Sequence, residues 1–125
     1  MNELWLIDAN PFIRYLLNDI PEMADATEQR IKDGAWTTIE VLAEVSYVLT
    51  KVYGMSRDHV YECLFHIANS VHFEDKKLII YALDLYHNYS MDFVDCVLIA
   101  RNHLYKTKIF SFDKKVINKL ISSNM

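Results

Sequence analysis

Glycine is nearly absent. Gly34 and Gly54 are the only two in the 125 residues. Two isolated glycines exclude a glycine-rich phosphate loop and a GxGxxG dinucleotide turn, since both need several glycines in one short stretch. Cysteine is equally scarce. Cys63 and Cys96 stand alone without a CxxC neighbour, fall in expected helices, and read as buried free thiols. The five histidines at 59, 66, 72, 87 and 103 lack zinc-ligand spacing and read as surface or packing residues. No long hydrophobic run exists. Leu78 to Leu83 is the longest, far too short to span a bilayer. The N-terminus carries no basic, apolar-cored leader, so the expected location is the cytoplasm, with no membrane partner. Positive charge is also in deficit. Lys and Arg number 13 against 17 Asp and Glu, for a net charge of −4. That balance argues against sequence-blind nucleic-acid binding. It leaves open a nucleic-acid enzyme whose site is itself a cluster of acids. No repeats, linkers or low-complexity segments break the chain, and residues 1–125 are expected to form one domain with a real core.

The chain is organised around Leu4 to Leu17, LWLIDANPFIRYLL. Leu4 to Ile7 are all apolar, the pattern of a strand covered on both faces. The run ends on Asp8. Asn10 and Pro11 read as the cap and first residue of a helix, whose apolar positions Phe12, Ile13, Leu16 and Leu17 follow at helical spacing. Asp8 thus lies where a buried strand hands over to a helix, and in an open α/β sheet ligands bind at the carboxyl ends of strands. The plainer reading of Asp8 is a helix cap.

Glu22 to Asp33 reads as a surface helix stopped by Gly34. Ala35 to Thr37 follows as a short strand. Thr38 then begins an amphipathic helix, Ile39 to Tyr53, ended by Gly54. Its face is Val41, Leu42, Val45, Val48, Leu49 and Val52, with Glu44 on the flank and Glu40 further out. Glu44 reads either as an acid projecting along the core edge into a cleft or as a solvated flank residue. Ser56 caps a helix to about Asn69. Its main face is Val60, Cys63, Leu64 and Ile67, and Tyr61, Phe65 and Ala68 form a second stripe, for the core or for a partner. Val71 to Glu74 is a candidate strand and Lys76 to Tyr89 a helix. Ser90 or Asp92 starts a helix to Tyr105 with Asp95 in its first turn, where the helix dipole favours negative charge. A reciprocal cap between Asp92 and Asp95 is the alternative. Lys108 to Phe112 alternates as a strand does and ends on Asp113, which opens a helix, Lys114 to Ile121, or simply caps it. The βα alternation predicts parallel strands with helices on both faces.

Asp8, Glu44, Asp95 and Asp113 can converge at the carboxyl edge of such a sheet. Two carboxylates about 5 Å apart repel by roughly 3 kcal/mol at an effective dielectric near 20. A divalent cation removes that cost. Mg²⁺ and Mn²⁺ prefer carboxylates and water, and paired ions can activate a water and stabilise the leaving oxygen of a phosphodiester.

Four segments in order resemble the PIN-domain family, especially the small VapC-type ribonuclease toxins. LIDANPFIRYLL resembles its opening D-x-N motif. TTIEVLAEVSYVL resembles the second, with Glu44 as the acid, and MDFVDCVLIA the third, with Asp95. IFSFDKKV resembles the fourth, usually T-x-D, with Ser111 in the threonine place and Asp113 as the acid. The resemblance implies a three-layer α/β/α fold, a mostly parallel sheet of four strands in order 3-2-1-4 or of five, Mg²⁺- or Mn²⁺-dependent endonucleolytic RNA cleavage, homodimerisation and inhibition by a cognate antitoxin. In that family the residues matching Asn10 and Ser111 help hold the acids and the metal-bound water. Little chain follows the last helix to supply a fifth strand.

The reading that follows is a metal-dependent endoribonuclease, the toxin of a type II toxin–antitoxin pair. Asp8, Glu44, Asp95 and Asp113 hold one or two metal ions, and Asp92, a helical turn before Asp95, supports them. Arg14, Lys114 and Lys115 meet RNA phosphates, and Tyr61 and Phe65 meet the antitoxin. The alternative is an inactive PIN-like module that binds RNA or protein. A receiver-like phosphoacceptor domain would need paired acids just after the first strand and a lysine ending a late strand, and this chain has neither.

Overall fold

A computed structural model describes residues 4–121. The chain divides into two compact units, one up to Lys76 and one from Lys77 onward. Each is described by itself.

The first unit holds the sheet. Strand β1 (Trp5–Leu6) pairs in parallel with β2 (Ala35–Trp36), Trp5 opposite Ala35 and Leu6 opposite Trp36. A single parallel bridge, Trp36 to His72, is all that forms of the strand expected over Val71 to Glu74. The parallel pairing requires a crossover, and helices α1 (Ala9–Leu17) and α2 (Pro21–Asp33) supply it. Proline at the first position suits α2, because that N–H has no partner within a helix. Gly34 ends it at φ 98°, a conformation that side chains resist. Helix α3 (Ile39–Tyr47) is capped by Thr38, whose hydroxyl accepts from the Val41 N–H, and continues as a π-helical turn over Val48–Val52. Helix α4 (Arg57–Ser70) is capped by Ser56. Phe12, Leu42, Val45, Leu49, Val60, Leu64 and Ile67 fill the core with essentially no exposure.

The second unit is helical among its described residues: α5 (Lys76–Asn88), α6 (Phe93–Tyr105) and the short α7 (Lys114–Ile117). Leu78, Ile79, Ala82, Leu83, Phe93, Ile99 and Val116 are its buried centre, with Tyr86 and Phe93 meeting edge to face. Cys63 and Cys96 are buried free thiols, one in each unit.

Three expectations are corrected. The four-strand sheet in order 3-2-1-4 is reduced to its first pair plus one bridge. Lys108 to Phe112 does not form a strand. Phe110 and Phe112 are 87% and 85% exposed and pack on each other. Alternation gives a segment two faces, but a strand also needs a hydrogen-bonded neighbour, and the described residues of this unit contain none. Finally, β1 is not covered on both faces, since Trp5 and Leu6 are 56% and 51% exposed. The fold class remains α/β, with helix dominant.

Candidate functional site

Asp8 is fixed by the bonds around it. The Ile7 N–H donates to Trp36 O at 3.0 Å, and the buried Thr37 hydroxyl donates to Ile7 O at 2.7 Å. These lock the end of β1 to the end of β2, one residue before the acid. The Asp8 carboxylate then accepts the Ala9 N–H at 2.7 Å, so Asp8, not Asn10, is the cap of α1. Pro11 falls in the first turn rather than at its start, because the helix begins two residues earlier than the Asn-Pro pair suggests. Asn10 is exposed. Asp8 also borders an open cavity of about 300 Å³, walled by Trp5, Pro11, Thr27 and Arg30. The Arg30 guanidinium lies 4.3 Å over the Trp5 ring, a cation–π contact. Thr37 was invisible as a site residue in the sequence, since nothing local distinguishes a threonine that bonds across strands from one that caps a helix.

Glu44 is exposed on α3, as is Glu40, while Leu42, Val45 and Ser46 form the buried side of that helix.

The second unit gathers three acids. Asp92 is the N-cap residue of α6, but its side chain makes no capping bond, so the reciprocal cap with Asp95 does not form. Asp95 follows in the first turn, half-buried. Burial pushes its carboxyl above the ordinary aspartate range, and the negative charges of Asp92 and then Asp113 push it further. Asp113 accepts the Lys115 N–H at 2.9 Å and so caps α7, and its own N–H donates to the Ser111 hydroxyl at 3.0 Å. Asp113 is thus both a cap and one of the charges felt at Asp95. Ser111 fixes the backbone that presents it.

The basic residues are partly committed. The Arg14 guanidinium is paired with Asp19 and donates to the Tyr53 hydroxyl at 2.9 Å. Its Nε is buried without a hydrogen-bond partner. Hydrogen bonding to Tyr53 and the charge of Asp19 raise its pKa against the opposing effect of burial. The Lys115 ammonium donates to Ser90 O at 3.3 Å, and Lys114 is exposed. Tyr61 and Phe65 stack on α4 with centroids 5.8 Å apart, Phe65 exposed and Tyr61 half-buried. Ala68, the third member of that stripe, is core.

Carboxylates suit Mg²⁺ or Mn²⁺, which take hard oxygen donors. The mutual repulsion at Asp95 is what a cation there would relieve, so the residues fit in kind. They are not a ready coordination shell. Among the described residues no three His, Cys, Asp or Glu side chains stand close enough together to hold an ion. No helix among them is long and apolar enough to cross a membrane.

A family model described as "PIN domain" matches residues 5–120. No curated protein and no solved structure matches the chain.

Proposed function

We propose, because the chain belongs to the PIN-domain family, that it is a metal-dependent endoribonuclease and the VapC-type toxin of a type II toxin–antitoxin pair. PIN domains are generally nucleases and usually use divalent metal ions. The observation that carries the reading to this chain is Asp95, half-buried in the first turn of α6, whose carboxyl is pushed up by burial and by the charges of Asp92 and Asp113. A perturbed acid of this kind marks a candidate functional site.

In this reading Asp95 and Asp113 would hold Mg²⁺ or Mn²⁺, with Asp92 adding negative charge behind them. Asp8 and Glu44 are assigned the same duty on their motifs alone. When bound, the metal supplies the Lewis acidity that makes water a nucleophile near neutral pH and offsets charge on the leaving oxygen. The chain's own residues do the positioning. Ser111 holds the Asp113 backbone. Thr37 holds the strand end before Asp8. Lys114 is available to an RNA phosphate, whereas Arg14 and Lys115 would first have to release their present partners. A homodimer, and an antitoxin that covers Tyr61 and Phe65 and offers a basic side chain to the acids, belong to the same proposal.

The test is cleavage of RNA by purified protein with Mg²⁺ or Mn²⁺, its arrest by EDTA, and its loss in Asp95→Asn but not in Glu40→Gln. Induction in cells should halt growth for wild type and not for Asp95→Asn. One observation favours the second reading, an inactive PIN-like module: among the described residues no three potential ligands are assembled. RNA retained without cleavage under any metal condition would decide for it.

A further inference from the structure

Asn102 is a polar side chain with no exposure, three residues before the end of α6, the third-motif helix. Burying an amide is costly unless its groups are bonded. Both groups of Asn102 are bonded outside its helix. Its Nδ2 donates to Thr107 O at 3.1 Å, and its Oδ1 accepts the Ile121 N–H at 2.9 Å. Those two backbone atoms bracket the segment 107–121, which contains Ser111, Asp113 and α7. The next residue acts on the same segment. His103 Nε2 lies 2.6 Å from Lys119 O and Nδ1 lies 2.8 Å from the Tyr81 hydroxyl. A carbonyl oxygen only accepts, so Nε2 carries the hydrogen. Apolar burial anchors the segment little: Phe110 and Phe112 are out in solvent, and Val116 is its one fully buried apolar residue.

We propose that Asn102 is a positioning residue for the nuclease site: by fastening both ends of the 107–121 segment to α6, it sets Asp113 beside Asp95 on the same helix. The proposal rests on the nuclease reading for its functional consequence and on hydrogen bonds alone for its structural one. The two bonds hold an otherwise exposed, irregular segment to α6, and with it Asp113, whose charge is felt at Asp95. Residues that orient metal ligands without touching the metal typically carry about ten- to a hundredfold of metal affinity.

The experiment uses the full chain as wild type, Asn102→Ala, and Asn102→Asp. The aspartate keeps the shape and the acceptor for Ile121 but cannot donate to Thr107 when ionised. Leu83→Ala, a fully buried deletion in α5, is the control for lost stability alone. The first readout is amide hydrogen exchange in metal-free protein at a temperature where all variants are folded. Asn102→Ala should expose the Ile121 amide and also the Lys115 amide, which the Asp113 carboxylate holds, each by roughly tenfold or more. Leu83→Ala should leave the ratio of those two amides to the rest of the unit unchanged. The second readout is Mn²⁺ binding by calorimetry, weakened about tenfold or more in Asn102→Ala, less in Asn102→Asp, and unchanged in Leu83→Ala. Loss of Ile121 protection with Lys115 unaffected would make Asn102 a mere tether and overturn the proposal. So would equal Mn²⁺ affinity in wild type and Asn102→Ala. Wild type that binds no Mn²⁺ would overturn the nuclease reading instead, and the exchange result would then decide the positioning of Asp113 by itself.

Discussion

Asp8 and Asp113 close their segments in the same way, each giving a carboxylate oxygen to a backbone N–H of the helix it precedes. The acids that open α6 differ. Asp92 makes no capping bond, and Asp95 is held against burial and two like charges. The contrast separates two reasons for a carboxylate to be where it is. A capping acid is useful to the fold whatever the protein does, so its presence says little about chemistry. An acid that burial and neighbouring negative charge disfavour is the stronger sign of a site. The pair at α6 is therefore the better guide to function, although the strand-end acids stand out more in the sequence.

The largest effect that would sharpen this contrast is on cleavage. Asp95→Asn should lower the rate of RNA hydrolysis at least about a hundredfold, since losing a metal ligand forfeits several kcal/mol of transition-state stabilisation. Near wild-type cleavage by this variant would break it at its functional end. Next in size is stability. Asp8→Ala should cost about 1 kcal/mol in urea denaturation and Asp8→Asn much less, because asparagine also caps well. Asp113→Ala should cost less than Asp8→Ala, since α7 is only four residues long. Equal losses from alanine and asparagine at position 8 would show that capping is not what Asp8 contributes. The smallest effect has the opposite sign. Asp95→Asn should raise the melting temperature in EDTA, by the equivalent of about 0.2–0.5 kcal/mol, the scale of a like-charge pair on a helix.

The same carboxyl predicts a pH dependence. Its pKa is raised in the folded chain, so the folded state holds this proton more tightly than the unfolded state does. The associated stability is fully present below the ordinary aspartate value and is lost as pH rises through the raised one. Melting temperature recorded against pH in EDTA should therefore fall for wild type relative to Asp95→Asn across that window. A flat difference would remove the basis for singling out Asp95. Adding Mn²⁺ at neutral pH should restore wild type in a concentration-dependent way and leave Asp95→Asn nearly unchanged.

Much of this was legible in the sequence because its signals are local. Thr38 and Ser56 cap helices as their positions suggest, and Gly34 and Gly54 adopt positive φ where helices end. The four acids are singled out by motif, and their shared role belongs to the proposal. What remained hidden depends on distant partners. Whether Lys108 to Phe112 becomes a strand is decided by a neighbour, not by its alternation. The apolar run of β1 says only that burial would be favourable, not that something covers it. Asp8 displaced Asn10 as cap because the helix starts earlier, and either residue type could fill that place. Asn102 and Thr37 resemble ordinary polar residues until their bonds, 19 and 30 positions away, are seen.

The π-helical turn at Val48–Val52 sets where the chain points as it leaves α3. Such a turn accommodates one residue more than the α-helix it interrupts, and the Tyr53 N–H reaches back to Val48 O across the wider loop. Removing one residue, Thr50 for instance, would let the helix rewind, turning everything after it by about 100°. Tyr53 would then swing away from the Arg14 guanidinium that it now meets at 2.9 Å. A chain length that looks arbitrary is thus what brings the end of the third helix to the first.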